Sequence, residues 1–255
     1  MGYVDIVIFS PIFNIFFTLQ YKKTAFMLNI LFLHGALSSS SQFNDIKEKL
    51  GINYNVHTLN FSGHGGNLMP LNGLTFEVFV NDILNYLNTN KIEKINLFGY
   101  SMGGYAAIMF ALKYPERVNK IFSCSVKLKW DLESATKELE FLNPDKMMDK
   151  VPGFANNLMM IHGINVWKNL LKSTSNMMMD LAKGKLITDE DFLKIKCPVL
   201  FAIGDRDKTA SLNDTIAVYS KVSNSQLLVM PNSPHEFNQL NINLLQHHIT
   251  VFFNN

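Results

Sequence analysis

From Met27 onward the chain alternates short β-branched, aliphatic or aromatic runs with longer stretches of helical period, and few folds accommodate that order. The strand-like runs are Leu28 to Leu33, Asn55 to Asn60, Ile95 to Gly99, Val118 to Ser123, Val199 to Ile203 and Gln226 to Met230. Helical stretches at Ser41 to Leu50, Thr75 to Thr89, Met102 to Tyr114, Leu212 to Val222 and Asn238 to Phe253 fall between or after them. A helix between successive strands is long enough to cross a sheet face and return the chain parallel to itself. The pattern therefore predicts an α/β fold with a mostly parallel central sheet covered by helices.

Residues 127–192 break the alternation, because no strand can be drawn there. Asp131 can cap a helix running to Leu142, Pro144 suits a first helical turn, and Thr188 with Asp191 can open another helix. An all-helical insert between two parallel strands must lie outside the sheet. Ligands in open α/β sheets bind beyond the carboxyl ends of the strands, and the insert leaves from such an end. The expected organisation is a core of residues 1–126 and 193–255 with a helical cap of residues 127–192 over the crevice. A chain of 255 residues, 47% of them hydrophobic, has the length for one large core and such an addition.

Residues 1–26 stand apart. Asp5, Pro11 and Asn14 interrupt their apolar character, and they lack the positive start and small-residue cleavage site of a signal peptide. They read as a strand pair, Val4 to Ser10 and Asn14 to Gln20, or as an extension, and no stable membrane insertion is expected of them. The 23 basic and 21 acidic residues leave a formal charge of +2 with no dense basic block. A nucleic-acid partner is not expected, and small neutral or weakly charged molecules suit this balance better. Cys124 and Cys197 both adjoin apolar runs and read as buried thiols, in keeping with a reducing cytoplasm.

The sharpest local signal is Gly99-Tyr100-Ser101-Met102-Gly103-Gly104, set between a strand and a helix. In a G-x-S-x-G turn of this kind the chain reverses so tightly that the serine is strained and exposed, and glycines remove side chains that would collide. A neutral serine hydroxyl is a poor nucleophile and needs a base that is itself oriented by a carboxylate. Asp205 and Asp207 follow the strand ending at Ile203, and His235 follows the strand ending at Met230. All lie past strand ends on the edge that carries Ser101. His57, His162, His247 and His248 lie in other elements and read as structural or solvated.

On these motifs the stretch from about Leu28 to Phe253 resembles the capped α/β-hydrolases, a group that includes small carboxylesterases and carbon–carbon bond hydrolases. The resemblance implies a triad of Ser101, Asp207 and His235, because the family's acid usually ends a Gly-x-x-Asp turn; Asp205 is then a solvated turn residue. Leu33-His34-Gly35-Ala36 is similar to the family's oxyanion loop, which implies backbone donors at Ala36 and Met102, with His34 shaping the loop. Phe61-Ser62-Gly63-His64-Gly65 resembles a further family turn, with Asn60 where aspartate is usual and His64 structural. Trp130, Phe154 and Tyr100 are candidate substrate contacts, and the methionine-rich cap suggests an adaptable apolar pocket. Lys127 and Lys129 leave the sheet with Trp130 at the cap's first hinge, where an amine could meet a substrate carboxylate.

The expected function is cleavage of a small to medium, partly apolar ester or thioester through an acyl-enzyme, without cofactor or metal, by a cytoplasmic monomer or homodimer. Carbon–carbon bond cleavage with the same triad is the alternative, and a ligand-sensing receptor that retains slow chemistry is a third reading.

Overall fold

A computed structural model of the protein describes residues 27–185 and 187–255. The strand pair expected within residues 1–26 lies outside the described residues. Six strands, β1 (Leu28–Leu33), β2 (Tyr54–Leu59), β3 (Ile95–Tyr100), β4 (Val118–Cys124), β5 (Val199–Gly204) and β6 (Ser225–Met230), form one parallel sheet in the order β2-β1-β3-β4-β5-β6.

Side chains that alternate along each strand explain why the strands read as unbroken apolar runs: both faces of the sheet are buried. Ile30, Phe32, Phe98, Phe122 and Leu200 pack on one face against α1 (Asn44–Leu50) and α10 (Ile242–Asn254), through Ile46, Leu50, Leu245, Ile249 and Phe252. Leu31, Leu33, Leu97, Ile121 and Phe201 pack on the other against α2 (Phe76–Thr89), α3 (Met102–Lys113) and α9 (Leu212–Tyr219).

Most boundaries agree with the sequence reading to within a residue; α9 ends at Tyr219 rather than Val222, and two further differences have local causes. The stretch from Ser41 to Leu50 is split: a 3₁₀ turn at Ser40–Phe43 precedes α1. The last helix starts at Ile242 rather than Asn238, because Phe237–Gln239 form a separate 3₁₀ turn and the Asn241 side chain accepts from the N–H groups of Asn243 and Leu244.

Between β4 and β5 the described residues form helices only: α4 (Leu132–Phe141), α5 (Pro144–Lys150), α6 (Pro152–His162), α7 (Trp167–Ala182) and α8 (Asp189–Phe192). Asp131 caps α4 through the Ser134 N–H, and Thr188 caps α8 through that of Asp191. The segment has a small core of its own in Met147, Ala155, Leu158, Trp167 and Leu171. Leu170, Met177 and Leu181 of α7 join the main core.

β1 runs out to β2 on one side and, after a crossover, to β3 on the other, so the chain changes direction between β1 and β3. A crevice opens beyond their carboxyl ends for that topological reason. At its base, α3 begins against the end of β1, where a Cβ on Gly103 would stand 2.1 Å from the Leu33 carbonyl oxygen. Gly103→Ala is therefore expected to destabilise the fold by about 3 kcal/mol or more in urea unfolding. Gly153, in the first turn of α6, has no neighbour within 4 Å of such a Cβ; Gly153→Ala should be neutral or stabilising by up to about 1 kcal/mol in the same assay.

Candidate active site

Ser101 joins β3 to α3 with φ 51° and ψ −118°, a left-handed conformation that a β-carbon disfavours. Close packing imposes it. A Cβ on Gly99 would stand 2.4 Å from the Gly104 Cα, so the strand and helix meet nearly backbone to backbone. The turn is held by the Ser101 N–H, which donates to the Cys124 carbonyl at 2.8 Å. The hydroxyl is thereby raised above the sheet edge.

Ser101 Oγ lies 3.3 Å from His235 Nε2, and His235 Nδ1 lies 2.9 Å from Asp207 Oδ2 and 3.0 Å from Oδ1. The loops after β5 and β6 are brought together because a Cβ on Gly204 would overlap the Ser233 carbonyl, leaving room there only for glycine. Burial would push the Asp207 carboxyl up in pKa. The hydrogen bond and charge of His235, with the Ala210 and Thr209 N–H groups donating at 2.8 and 2.9 Å, nevertheless hold it below its ordinary value. Asp205 acts elsewhere, since its exposed carboxylate accepts the Ser233 N–H at 3.1 Å and steadies the turn before His235. The series from Ser101 through His235 to Asp207 can draw the proton from a serine hydroxyl and stabilise the imidazolium that results.

Ala36 and Met102 line the cavity in front of Ser101, and among the described residues neither backbone N–H has a protein acceptor. His34 is fully buried behind this loop. Its Nδ1 faces the Gly35 carbonyl at 2.8 Å and its Nε2 accepts the Phe61 N–H at 3.1 Å, so the ring is the neutral Nδ1–H tautomer. His64, also buried, directs Nδ1 at the Ser62 carbonyl at 3.0 Å. His34 thus ties the loops after β1 and β2 together, His64 packs its ring beside that of His34, and neither lines the cavity.

The cavity has a volume of about 60 Å³ and is lined by Phe76, Tyr105, Trp130, Met177, Met178 and Leu181, with Lys127, Glu138 and Thr209 as its polar side chains. Of the three candidate substrate contacts Trp130 lines the cavity, and the other two lie elsewhere. Phe154 is 48% exposed on α6 and does not line the cavity, because α6 turns Ala155 and Leu158 inward instead. Tyr100 is buried on the opposite side of the turn, where its hydroxyl donates to the His235 carbonyl and its ring packs on Phe237. It holds the histidine loop in place, and burial raises its phenol pKa. Of the insert's methionines, Met177 and Met178 face the cavity, while Met160 is exposed and Met147 packs within the insert.

Lys127 is not a free cation. Its Nζ lies 3.0 Å from Glu138 Oε1 and 4.2 Å above the Trp130 ring. Glu138, Phe76, Tyr105 and Leu181 were not singled out from the sequence; only their convergence in space marks them.

A family model described as the alpha/beta hydrolase fold matches residues 29–182. Among curated proteins, ethanol acetyltransferase 1 of Kluyveromyces marxianus is 33% identical over 90 residues, which is 34% of this chain and 24% of that protein. The chain spans well under half the length of the first curated relatives it matches. Among solved structures, an enol-lactonase from Burkholderia xenovorans superposes with a TM-score of 0.72 at 17% identity, covering 90% of this chain and 92% of that one. A thermophilic esterase from Thermogutta terrifontis superposes with a TM-score of 0.73 at 19% identity, covering 89% of each. At these identities the structural likeness speaks for the fold alone.

Burial lowers the pKa of His34, His64 and His162, in the case of His64 to about 4. Below the ordinary histidine value of about 6.5 the unfolded chain then binds more protons than the native one, so stability falls as the pH falls. For His64 alone the loss accumulates between about pH 6.5 and 4 and reaches about 3 kcal/mol. Urea midpoints measured across that range should fall steeply, and less steeply in His64→Gln.

Proposed function

The chain belongs to the α/β-hydrolase fold family, and from that premise we propose that it is a serine hydrolase cleaving a small, uncharged carboxylic ester or thioester. One observation carries this reading: the hydrogen-bonded series Ser101, His235, Asp207 opens into the same cavity as the N–H groups of Ala36 and Met102, which have no acceptor among the described residues. Such an arrangement would set a nucleophile and its base at the carbon of one carbonyl group and oxyanion donors at its oxygen.

His235 Nε2 takes the Ser101 proton as Oγ attacks that carbon, and Asp207 stabilises the imidazolium. Charge gathering on the carbonyl oxygen is met by the N–H groups of Ala36 and Met102. Collapse of the tetrahedral intermediate expels the alcohol or thiol, which receives the proton from His235. Water, deprotonated by the same imidazole, then attacks the acyl-enzyme and frees the acid and Ser101. The helices of residues 127–192 act as a cap, roofing the reacting groups with Trp130, Met177, Met178 and Leu181.

The cavity supports a small acyl group, since about 60 Å³ has room for only a few water-sized groups. Its apolar walls favour a short alkyl chain. The one cation among its lining residues is already matched by Glu138, so an anionic substrate would have to displace that carboxylate.

Hydrolysis of p-nitrophenyl esters from two to twelve carbons should peak at about two to four carbons. Ser101→Ala should lower kcat by about 10⁴-fold and Asp207→Asn by about 10²-fold or more, with Asp205→Asn changing it little. Absence of Ser101-dependent turnover on every chain length would move the assignment to carbon–carbon cleavage or ligand sensing. Glu138→Gln, by freeing the Lys127 ammonium, should raise kcat/KM about tenfold for esters whose acyl chain ends in a carboxylate, relative to neutral esters of equal length.

A further inference from the structure

A closed ring of hydrogen bonds surrounds the loop that follows β1. The Ser40 N–H donates to Asn60 Oδ1 at 2.6 Å, and Asn60 Nδ2 donates to the Gly65 carbonyl at 3.2 Å. The Gly65 N–H donates to His162 Nδ1 at 3.0 Å, and His162 Nε2 donates to the Leu37 carbonyl at 3.0 Å. The ring starts and ends three residues apart in one loop. His162 comes from outside the core: it is the last residue of α6 and is 2% exposed.

Leu37 is a demanding place to anchor. The Ser38 N–H closes a turn onto the Gly35 carbonyl at 3.3 Å, with Ala36 and Leu37 as its central residues. Leu37 has φ 59°, a left-handed conformation that a β-carbon disfavours and that persists only where its surroundings hold it. The His162 bond to the Leu37 carbonyl is one such hold, and the Asn60 bond to Ser40 is another. Each station of the ring must suit both neighbours. Asn60 accepts with Oδ1 and donates with Nδ2, which a carboxylate could not do, and His162 accepts at Nδ1 while donating at Nε2. Both side chains are neutral, and bonds linked in this way polarise one another.

We infer that His162 is a positioning residue, through which the helical insert fixes the turn that aims the Ala36 N–H at the developing oxyanion. The inference rests on the proposed role of Ala36. It makes the placement of α6, set by its packing with α5 and α7, part of what determines the geometry of the nucleophile's electrostatic partner. A histidine serving only to fasten α6 would affect stability and access to the cavity, and need not affect the rate of the chemical step.

Glutamine presents the same pair of functions, an acceptor and a donor at the end of a chain of suitable reach, whereas phenylalanine keeps the ring and loses both. In His162→Phe, amide exchange of peptides covering residues 34–42 should quicken about tenfold, with β3 peptides unchanged as the control for global stability. On the preferred p-nitrophenyl ester, kcat should fall about tenfold with KM within about twofold, and His162→Gln should recover most of both losses. Unchanged exchange in His162→Phe, a loss confined to KM, or a glutamine variant no better than phenylalanine would each overturn the inference. Lack of Ser101-dependent turnover in the wild type would instead defeat the proposed function, and the exchange measurement alone would then decide whether His162 holds the loop.

Discussion

The near-contact of backbones where β3 turns into α3 is the constraint on which the site depends. Gly99 against Gly104, and Gly103 against the Leu33 carbonyl, bring strand, helix and the end of β1 closer than any side chain would permit. Ser101 is left in a left-handed conformation that would be unfavourable in isolation. The strain is offset by a core in which both faces of β1, β3 and β4 are buried. Loosening those contacts would return the serine to an ordinary turn and lower its hydroxyl from the crevice.

Around this strained point His34, His162 and Asn60 serve as neutral hydrogen-bonding groups. His34 and His162 each pair both ring nitrogens with backbone, in opposite tautomers dictated by their partners. The Asn60 amide bridges Ser40 and Gly65. Buried neutral groups avoid the desolvation cost of ions and still specify one arrangement of loops. Charge is kept for Asp207, which is solvated by His235 and two N–H donors, and for the Lys127–Glu138 pair at the cavity wall. The loop after β1 and the helical insert therefore meet through a hydrogen bond, whereas the layers below them meet through apolar packing.

The legibility of these parts from sequence follows their physics. Strands buried on both faces produce continuous apolar runs, so all six were readable to within a residue or so. A strand, a glycine-flanked serine and a helix in succession leave a local trace, and the preference for Asp207 over Asp205 was implied by the resemblance to a family whose acid ends such a turn. Tyr100 and Phe154 show the opposite case. An aromatic residue beside Ser101 and another in the insert both looked like substrate contacts, yet one fastens His235 and the other faces solvent. Which side of a turn or helix meets the cavity depends on packing that neighbouring residues in the chain do not encode.

Local order and chemistry were thus determined by the sequence alone: the alternation of strands and helices, the helical insert, the glycine turn bearing Ser101, and the positions of Asp207 and His235 after later strands. Tertiary structure decided what those parts meet. The pairing of Lys127 with Glu138, the small cavity under α7, the hold of Tyr100 on the histidine loop and the reach of His162 to the Leu37 carbonyl are contacts between elements far apart in the chain. A local pattern records the period and turns of one segment, whereas such contacts are set by how close two backbones approach, and that distance exists only once the layers have packed.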